Sequence, residues 1–111
     1  LEEMGPLSLK AERAVPMNAQ CTIFAESEVV SLIHAKTSKA DISRAIHDAI
    51  ADRIASMTRR LGIQRDVVLV GGVAKNTGFV EALKGALGVD ILVPDEPEFV
   101  GALGAALSPT R

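Results

Sequence analysis

A short apolar run is followed by a glycine-rich segment whose residue types could bind the phosphate or the sugar edge of a nucleotide. The run covers residues 67–70, and the segment 71–76 reads Gly-Gly-Val-Ala-Lys-Asn. Gly71 and Gly72 would let the backbone come within contact distance of a ligand, and the free amides of a following helix attract an anion. The glycine spacing is neither that of a Walker A loop nor that of the Rossmann fingerprint. An ordinary strand-to-helix turn is the alternative interpretation.

Two further glycines, Gly101 and Gly104, lie on the last helical segment of the sequence. In an open α/β sheet the loops at the carboxyl ends of the strands gather on one edge, so this helix is expected to approach the double-glycine turn. Both glycines are therefore candidate ligand-binding residues. The alternative is that small residues only let the helix pack tightly on the sheet. Lys75 could reach a phosphate, although a loop lysine is most often solvated.

Cys21 is the single cysteine of the sequence and stands at the predicted start of a helix. A helix N-terminus favours the thiolate, which is the form that ligates iron or zinc. An iron–sulfur cluster normally needs four thiolates, so Cys21 would have to act with upstream cysteines, a second subunit, or both. A buried, unreactive structural cysteine is the alternative. His34 and His47 receive no role, and His47 is expected on the surface.

Hydrophobic periodicity predicts the helices that position these residues. A helix is expected over 39–61, where Ser38 and Asp41 resemble a capping box and Gly62 supplies a left-handed stop. Another is expected over 21–34, preceded by a short helical turn and an extended connector. The apolar stripe of the long helix consists of Ile42, Ala45, Ile46, Ala49, Ile50, Ile54, Met57 and Leu61.

Strands and helices alternate in the second half of the sequence, which predicts an α/β fold with helices packed on a partial parallel sheet. The strands are expected at 67–70, buried on both faces, and at 89–93. Helices are expected from Asn76 or Thr77 to Gly88 and after Pro97. Two strands are too few for a stable sheet, so partner strands are expected upstream of Leu1. Residues 1–111 are thus expected to form a single unit.

Charge and composition argue against several kinds of partner. The 12 basic and 14 acidic residues are interspersed, which leaves no basic stripe for nucleic acid and no polybasic patch for a membrane surface. No apolar run approaches the roughly 20 residues that cross a bilayer, and no signal peptide is apparent. We expect a cytoplasmic protein that binds neither nucleic acid nor membrane.

Residues 21–32 and 67–76, together with the ending 99–106, resemble the ATPase family of benzoyl-CoA reductase ATP-binding subunits and 2-hydroxyacyl-CoA dehydratase activators. The resemblance runs from about residue 1 to 107. This family belongs to the actin, sugar-kinase and Hsp70-like superfamily, in which two ribonuclease-H-like domains close over ATP. The resemblance implies that the chain is the later part of the second such domain, with the upstream ATPase domain absent.

The resemblance also implies roles for individual residues. Cys21 would ligate a [4Fe-4S] cluster shared between two subunits, each of which gives two cysteines. Gly71 and Gly72 would carry the adenosine motif, with Ala74 and Asn76 lining the same pocket. The second cysteine and the phosphate- and Mg²⁺-binding elements for ATP would lie before Leu1, so this chain alone is not expected to hydrolyse ATP.

The implied function is ATP-dependent, low-potential electron transfer to an acyl-CoA-processing enzyme, with benzoyl-CoA reductase placed ahead of a dehydratase activator. Hydrolysis would change the angle between the cluster-bearing helices. The implied partners are a homologous ATPase subunit, in a homodimer or heterodimer, and acyl-CoA reductase or dehydratase subunits. One alternative is a sugar kinase or tRNA-modifying ATPase without a cluster. Another is a non-catalytic dimerisation module that uses the stripe of 42–61.

Overall fold

A computed structural model describes residues 2–17 and 22–109, without the side chains of residues 22–24. The described part of the chain contains helices, two short strands and two 3₁₀ turns, and the α/β class expected from the sequence is confirmed. In chain order the elements are α1 (Met4–Leu9), α2 (Thr22–His34), α3 (Lys39–Leu61), β1 (Val67–Val68), a 3₁₀ turn (Gly72–Lys75), α4 (Thr77–Leu87), β2 (Ile91–Leu92), a 3₁₀ turn (Pro97–Phe99) and α5 (Val100–Leu107).

The bounds predicted for the long helix α3 are confirmed. The Oγ atom of Ser38 accepts a hydrogen bond of 3.1 Å from the backbone N–H of Asp41, which satisfies one of the free donors of the first turn. At the other end Gly62 has a φ of 79° and donates its N–H to the carbonyl of Arg59. The Arg59 guanidinium in turn donates to the carbonyl of Ala86 near the end of α4.

The buried face of α3 differs from the predicted apolar stripe. Ala51 and Ala55 are fully buried, whereas Ile50, Met57 and Leu61 are 45%, 51% and 88% exposed. The reason is steric, since the small alanine side chains let α4 approach α3 closely, and the larger apolar side chains are left on the outer face. These exposed residues leave uncovered apolar surface on α3.

The two strands pair in parallel, as the sequence predicts, but they are shorter than predicted. Val67 pairs with Ile91 and Val68 with Leu92, and the N–H of Leu69 donates to the carbonyl of Leu92 at 2.9 Å. Each strand has only two residues, and in the described part of the chain neither strand has a second neighbour.

The prediction of a strand buried on both faces is wrong for β1. Val68 and Val70 are 54% and 45% exposed, and Leu92 of β2 is 50% exposed. By contrast Ile91 is buried beneath α4. Among the described residues, helices therefore cover one face of the sheet, and the other face is open.

The core lies between α3, α4 and the sheet. Its buried residues are Ala51, Phe79, Leu83 and Ile91, with partly buried apolar side chains packed around them. Helix α4 ends at Leu87 and is capped by Gly88, which adopts the left-handed conformation with a φ of 70°. Helix α5 contributes no buried residue, and its large apolar side chains Leu103 and Leu107 are exposed. None of the described helices has the length and apolar character needed to cross a bilayer.

Replacing Phe79 with Ala should lower the free energy of unfolding by about 3–5 kcal/mol, because it leaves a cavity in a core with few large side chains. Phe79 is 3% exposed, whereas Phe99 is 58% exposed, so Phe99→Ala is a matched control that should change stability by less than about 0.5 kcal/mol. Urea denaturation followed by circular dichroism measures both values. Equal effects of the two substitutions would contradict this packing.

Candidate functional site

The double-glycine turn, residues 71–76, begins where the ladder between the strands ends. Gly71 has φ 96° and ψ 170°, a backbone conformation that is available essentially only to glycine. Its N–H donates to the carbonyl of Pro97 at 2.8 Å, and its own carbonyl accepts from the N–H of Ala74 at 3.1 Å. The turn is therefore fixed to the 3₁₀ segment that precedes α5.

The outer side of this turn is open. A Cβ atom placed on Gly71 or Gly72 would meet no heavy atom of the described residues within 4 Å. Gly71 needs to be glycine because of its positive φ, but Gly72 has neither a positive φ nor a neighbouring group that excludes a side chain. Nothing in the folding of the described residues requires glycine at position 72, and the space beside it can admit a ligand.

The other two residues expected to line this site are used by the fold. Ala74 is 5% exposed and lies beneath the turn. The Oδ1 atom of Asn76 caps α4 by accepting from the N–H of Phe79 at 3.0 Å, and its Nδ2 atom lies 2.9 Å from Nε2 of His47. Contact of Ala74 or Asn76 with a ligand remains a prediction.

The prediction that His47 lies on the surface is wrong, because this side chain is only 5% exposed. Its Nδ1 atom is 2.7 Å from the carbonyl oxygen of Ser43, which can only accept, so Nδ1 carries the hydrogen. Nε2 is then the acceptor for Asn76. The sequence does contain a signal for this burial, since small residues at 43, 51 and 55 share the face of residue 47 at four-residue spacing.

Lys75 and Glu98 form a second link between the double-glycine turn and the region before α5. The Lys75 Nζ atom lies 2.7 Å from Oε1 of Glu98. This lysine, a candidate for binding a phosphate, therefore has an ion-pair partner within the chain. The hydrogen bond from the Lys75 ammonium holds the pKa of Glu98 below its usual value. The second carboxylate oxygen of Glu98 is buried and has no hydrogen-bond partner among the described residues. No local pattern in the sequence marks Glu98 as a site residue.

Gly101 and Gly104 are exposed, with no described heavy atom within 4 Å of a Cβ placed on either. The last helix was expected to approach the turn, but the contacts come from the residues before it. Pro97 accepts the hydrogen bond from Gly71, and Glu98 pairs with Lys75. The assignment of the two glycines to a ligand site remains a prediction.

Cys21 lies outside the described residues, but the structure describes the chain on both sides of it. After it, helix α2 is described from Thr22 to His34. Before it, the connector of residues 10–17 is held by the buried side chain of Asp41. One carboxylate oxygen, Oδ1, accepts from the backbone N–H groups of Glu12 and Arg13, each at 3.0 Å.

Only half of the predicted capping box therefore forms. The backbone N–H of Asp41 donates to Ser38, but the carboxylate of Asp41 binds the connector. The Oδ2 atom also lies 3.6 Å from Nε of Arg13. These donors hold the pKa of Asp41 below its usual value, and the N–H of Arg13 has the largest effect. Burial of the carboxyl acts in the opposite direction but is outweighed. A charged, buried carboxylate thus holds the connector at Glu12 and Arg13.

Two other features bear on possible sites. Among the described residues, no group of three or more His, Cys, Asp or Glu side chains is arranged to hold a metal ion. A groove of about 450 Å³ lies between α1, α3 and α4, and its lining includes Arg44, Asp48 and Glu81. This groove contains none of the residues assigned to a site from the sequence.

Comparison with known proteins identifies relatives along almost the entire chain. The sequence model of the BadF/BadG/BcrA/BcrD ATPase family matches residues 1–108. One of the subunits of the benzoyl-CoA reductase from Thauera aromatica is 30% identical over 113 residues, which cover 96% of this chain and 40% of that protein.

Two solved structures also match. The activator of the 2-hydroxyisocaproyl-CoA dehydratase from Clostridium difficile, with bound ADPNP, has 44% identity and a TM-score of 0.90 over 96% of this chain and 40% of that one. Component A of the (R)-2-hydroxyglutaryl-CoA dehydratase of Acidaminococcus fermentans has 42% identity and a TM-score of 0.91 over 96% and 41%. The chain thus spans about 40% of the length of these relatives.

The lowered pKa of Asp41 predicts a pH-dependent contribution to stability. The folded state favours the carboxylate, so the contribution is complete above the unfolded pKa of about 4 and is lost as the pH falls through the lower folded pKa. Asp41→Asn should lower the free energy of unfolding at pH 7, and its difference from the unsubstituted protein should shrink below pH 4. Denaturant titrations between pH 3 and 7 measure this, with Asp52→Asn, at an exposed position of the same helix, as the control. A difference that is constant with pH would contradict the assignment.

Proposed function

Because the chain belongs to the BadF/BadG/BcrA/BcrD ATPase family, we propose that it is the part of an ATP-hydrolysing, electron-donating subunit that binds the adenosine side of the nucleotide. The observation that carries this proposal is the open side of Gly72, where glycine is not required by the described fold. Close approach of a ligand to the backbone is one physical reason for a glycine at this position.

The double-glycine turn suits a nucleotide because it combines a rigid backbone with an open outer side. Rigidity comes from the Gly71 hydrogen bond to Pro97 and from the ion pair between Lys75 and Glu98. A site that is already formed loses little entropy when the ligand binds. The related Clostridium difficile activator has a structure with bound ADPNP, which supports a nucleotide as the ligand. The elements that hold the phosphates and Mg²⁺ are assigned to parts of such a protein outside residues 1–111.

We propose a 2-hydroxyacyl-CoA dehydratase as the partner that receives the electron. Identity to the two dehydratase activators is higher than identity to the benzoyl-CoA reductase relative, which supports this choice and reverses the order expected from the sequence alone. A benzoyl-CoA reductase is the second candidate partner. The homologous ATPase subunit, in a homodimer or heterodimer, remains part of the proposal, as does a cytoplasmic location.

A [4Fe-4S] cluster fits this chain as a group to which it gives one ligand of four. Cys21 is the single cysteine of the sequence, so the other thiolates must come from elsewhere. Cys21 is suited to the role because it immediately precedes α2, and a helix N-terminus favours a thiolate. When bound, such a cluster would accept and donate single electrons at low potential. The part of Asp41 is to hold the connector that leads to this ligand.

Gly72→Leu should weaken the binding of Mg-ADPNP to the full-length protein by at least about tenfold, because the side chain would fill the space proposed for the ligand. Gly85→Leu is the matched control, since Gly85 on α4 is also exposed with open space beside it and lies away from the turn. Isothermal titration calorimetry measures both affinities. Unchanged binding in Gly72→Leu would contradict a nucleotide site at the turn.

Cys21→Ala in the full-length protein should abolish the [4Fe-4S] signal and leave nucleotide binding intact, because the thiolate is a cluster ligand and not part of the turn. Anaerobic iron and acid-labile sulfide analysis, with EPR after reduction, measures the cluster, and ADPNP titration measures the nucleotide site. An undiminished cluster signal in the variant would show that Cys21 is a structural residue.

A further inference from the structure

A chain of hydrogen bonds through His47 joins α3 to the first turn of α4. The carbonyl of Ser43 accepts from Nδ1 of His47 at 2.7 Å, and Nε2 of the same ring accepts from Nδ2 of Asn76 at 2.9 Å. The Oδ1 atom of Asn76 then accepts from the backbone N–H of Phe79 at 3.0 Å. Because His47 is buried, its ring nitrogens depend on these protein partners.

The two ends of this chain fix the direction of every hydrogen bond in it. A backbone carbonyl can only accept and a backbone N–H can only donate. The carbonyl of Ser43 therefore requires a hydrogen on Nδ1 of His47. The N–H of Phe79 requires the oxygen of the Asn76 amide, so the amide nitrogen is directed at Nε2 of the ring. Every donor has an acceptor, and the neutral imidazole is the form that satisfies this arrangement.

The chain has no place for a second proton on His47. Nε2 would become a donor and would face the NH₂ group of Asn76. If the amide turned over to offer its oxygen to His47, its nitrogen would face the N–H of Phe79, and the cap of α4 would be lost. The amide also has no room to move toward α1, because a methyl group on Gly5 would already overlap Oδ1 of Asn76. Protonation thus leaves a buried donor without an acceptor.

The charged groups near His47 give its surroundings a net negative charge. Three carboxylates and one guanidinium line the groove beside it, and these belong to Asp48, Asp52, Glu81 and Arg44. Helix α1, with the sequence Met-Gly-Pro-Leu-Ser-Leu, contributes no titratable side chain. In the double-glycine turn, Lys75 is paired with Glu98. Charge repulsion therefore does not prevent a proton from reaching His47 at mildly acidic pH.

We propose that His47 is a positioning residue that makes nucleotide binding at the double-glycine turn depend on pH. The proposal rests on the proposed nucleotide site. Asn76 ends the 3₁₀ part of that turn and also caps α4, so losing its bond to His47 affects both. Histidine changes its charge between about pH 5 and 8. Because the ordered turn holds neutral His47, nucleotide binding and proton uptake oppose each other by linkage, and affinity falls as the pH falls.

Calorimetric titration of the full-length protein with Mg-ADPNP at about pH 7.5 and about pH 5.5 tests this proposal. His47→Gln serves as the reference, because its amide oxygen can accept from Asn76 but the side chain takes up no proton. The phosphates of ADPNP also titrate in this range, but equally for every variant. Between the two pH values, the dissociation constant of the unsubstituted protein should rise about tenfold more than that of His47→Gln.

His34→Gln is the matched control, since His34 is exposed at the end of α2, and it should keep the full pH response. All titrations are made where circular dichroism shows the variant to be folded. A purely structural role of His47 would change stability or affinity by the same factor at both pH values, and would leave the pH response of binding unaltered.

Asn76→Asp is a second variant that retains the cap of α4, because a carboxylate oxygen can accept from Phe79 as the amide oxygen does. Its other oxygen requires a donor, so the protonated form of His47 becomes the satisfied one. Relative to His47→Gln, the pH response should therefore reverse, with tighter binding at about pH 5.5 than at about pH 7.5.

The outcomes separate the two proposals. If the unsubstituted protein binds no ADPNP at either pH, the proposed function fails, and the role of His47 fails with it. If it binds ADPNP with the same pH response as His47→Gln, the role of His47 alone is wrong. A response of Asn76→Asp in the same direction as that of the unsubstituted protein leads to the same conclusion.

Discussion

The side-chain amide of Asn76 is the contact on which the arrangement of the helices depends. Its oxygen caps α4 at Phe79, and its nitrogen donates to His47 on α3, while Gly5 of α1 lies against it. Only a group with both a donor and an acceptor can serve the two polar partners at once. Because Asn76 is the last residue of the double-glycine turn, three helices are fixed relative to the place where the strand ends.

This constraint divides the molecule into a fixed side and an open side. Helices α1, α3 and α4 pack on one side of the turn, around the core of Phe79 and its neighbours. On the other side Gly72 and the face of α5 are exposed. A nucleotide at the turn would thus rest against a backbone that the fold already holds, which lowers the entropic cost of binding.

Local signals in the sequence predicted the elements well, since Ser38, Gly62, Asn76 and Gly88 cap helices as expected and the strands are parallel. Tertiary packing was less predictable. The long helix has both an alanine face and an isoleucine face, and periodicity alone favours the larger side chains, so the burial of His47 was missed. Asn76 is expected from the sequence to line a pocket. Its hydrogen bond to His47 depends on packing between distant residues, which a local pattern does not reveal. The links of Pro97 and Glu98 to the turn depend on contacts between distant residues, which local patterns do not encode.

The sharpest test of a nucleotide site at this turn is the crystal structure, with Mg-ADPNP, of a polypeptide of the relatives' full length that carries this chain. We expect the adenosine part of the nucleotide to lie against Gly71 and Gly72 on the open side of the turn. A nucleotide bound elsewhere, for example in the groove between α1, α3 and α4, with the double-glycine turn facing only solvent or protein, would contradict it.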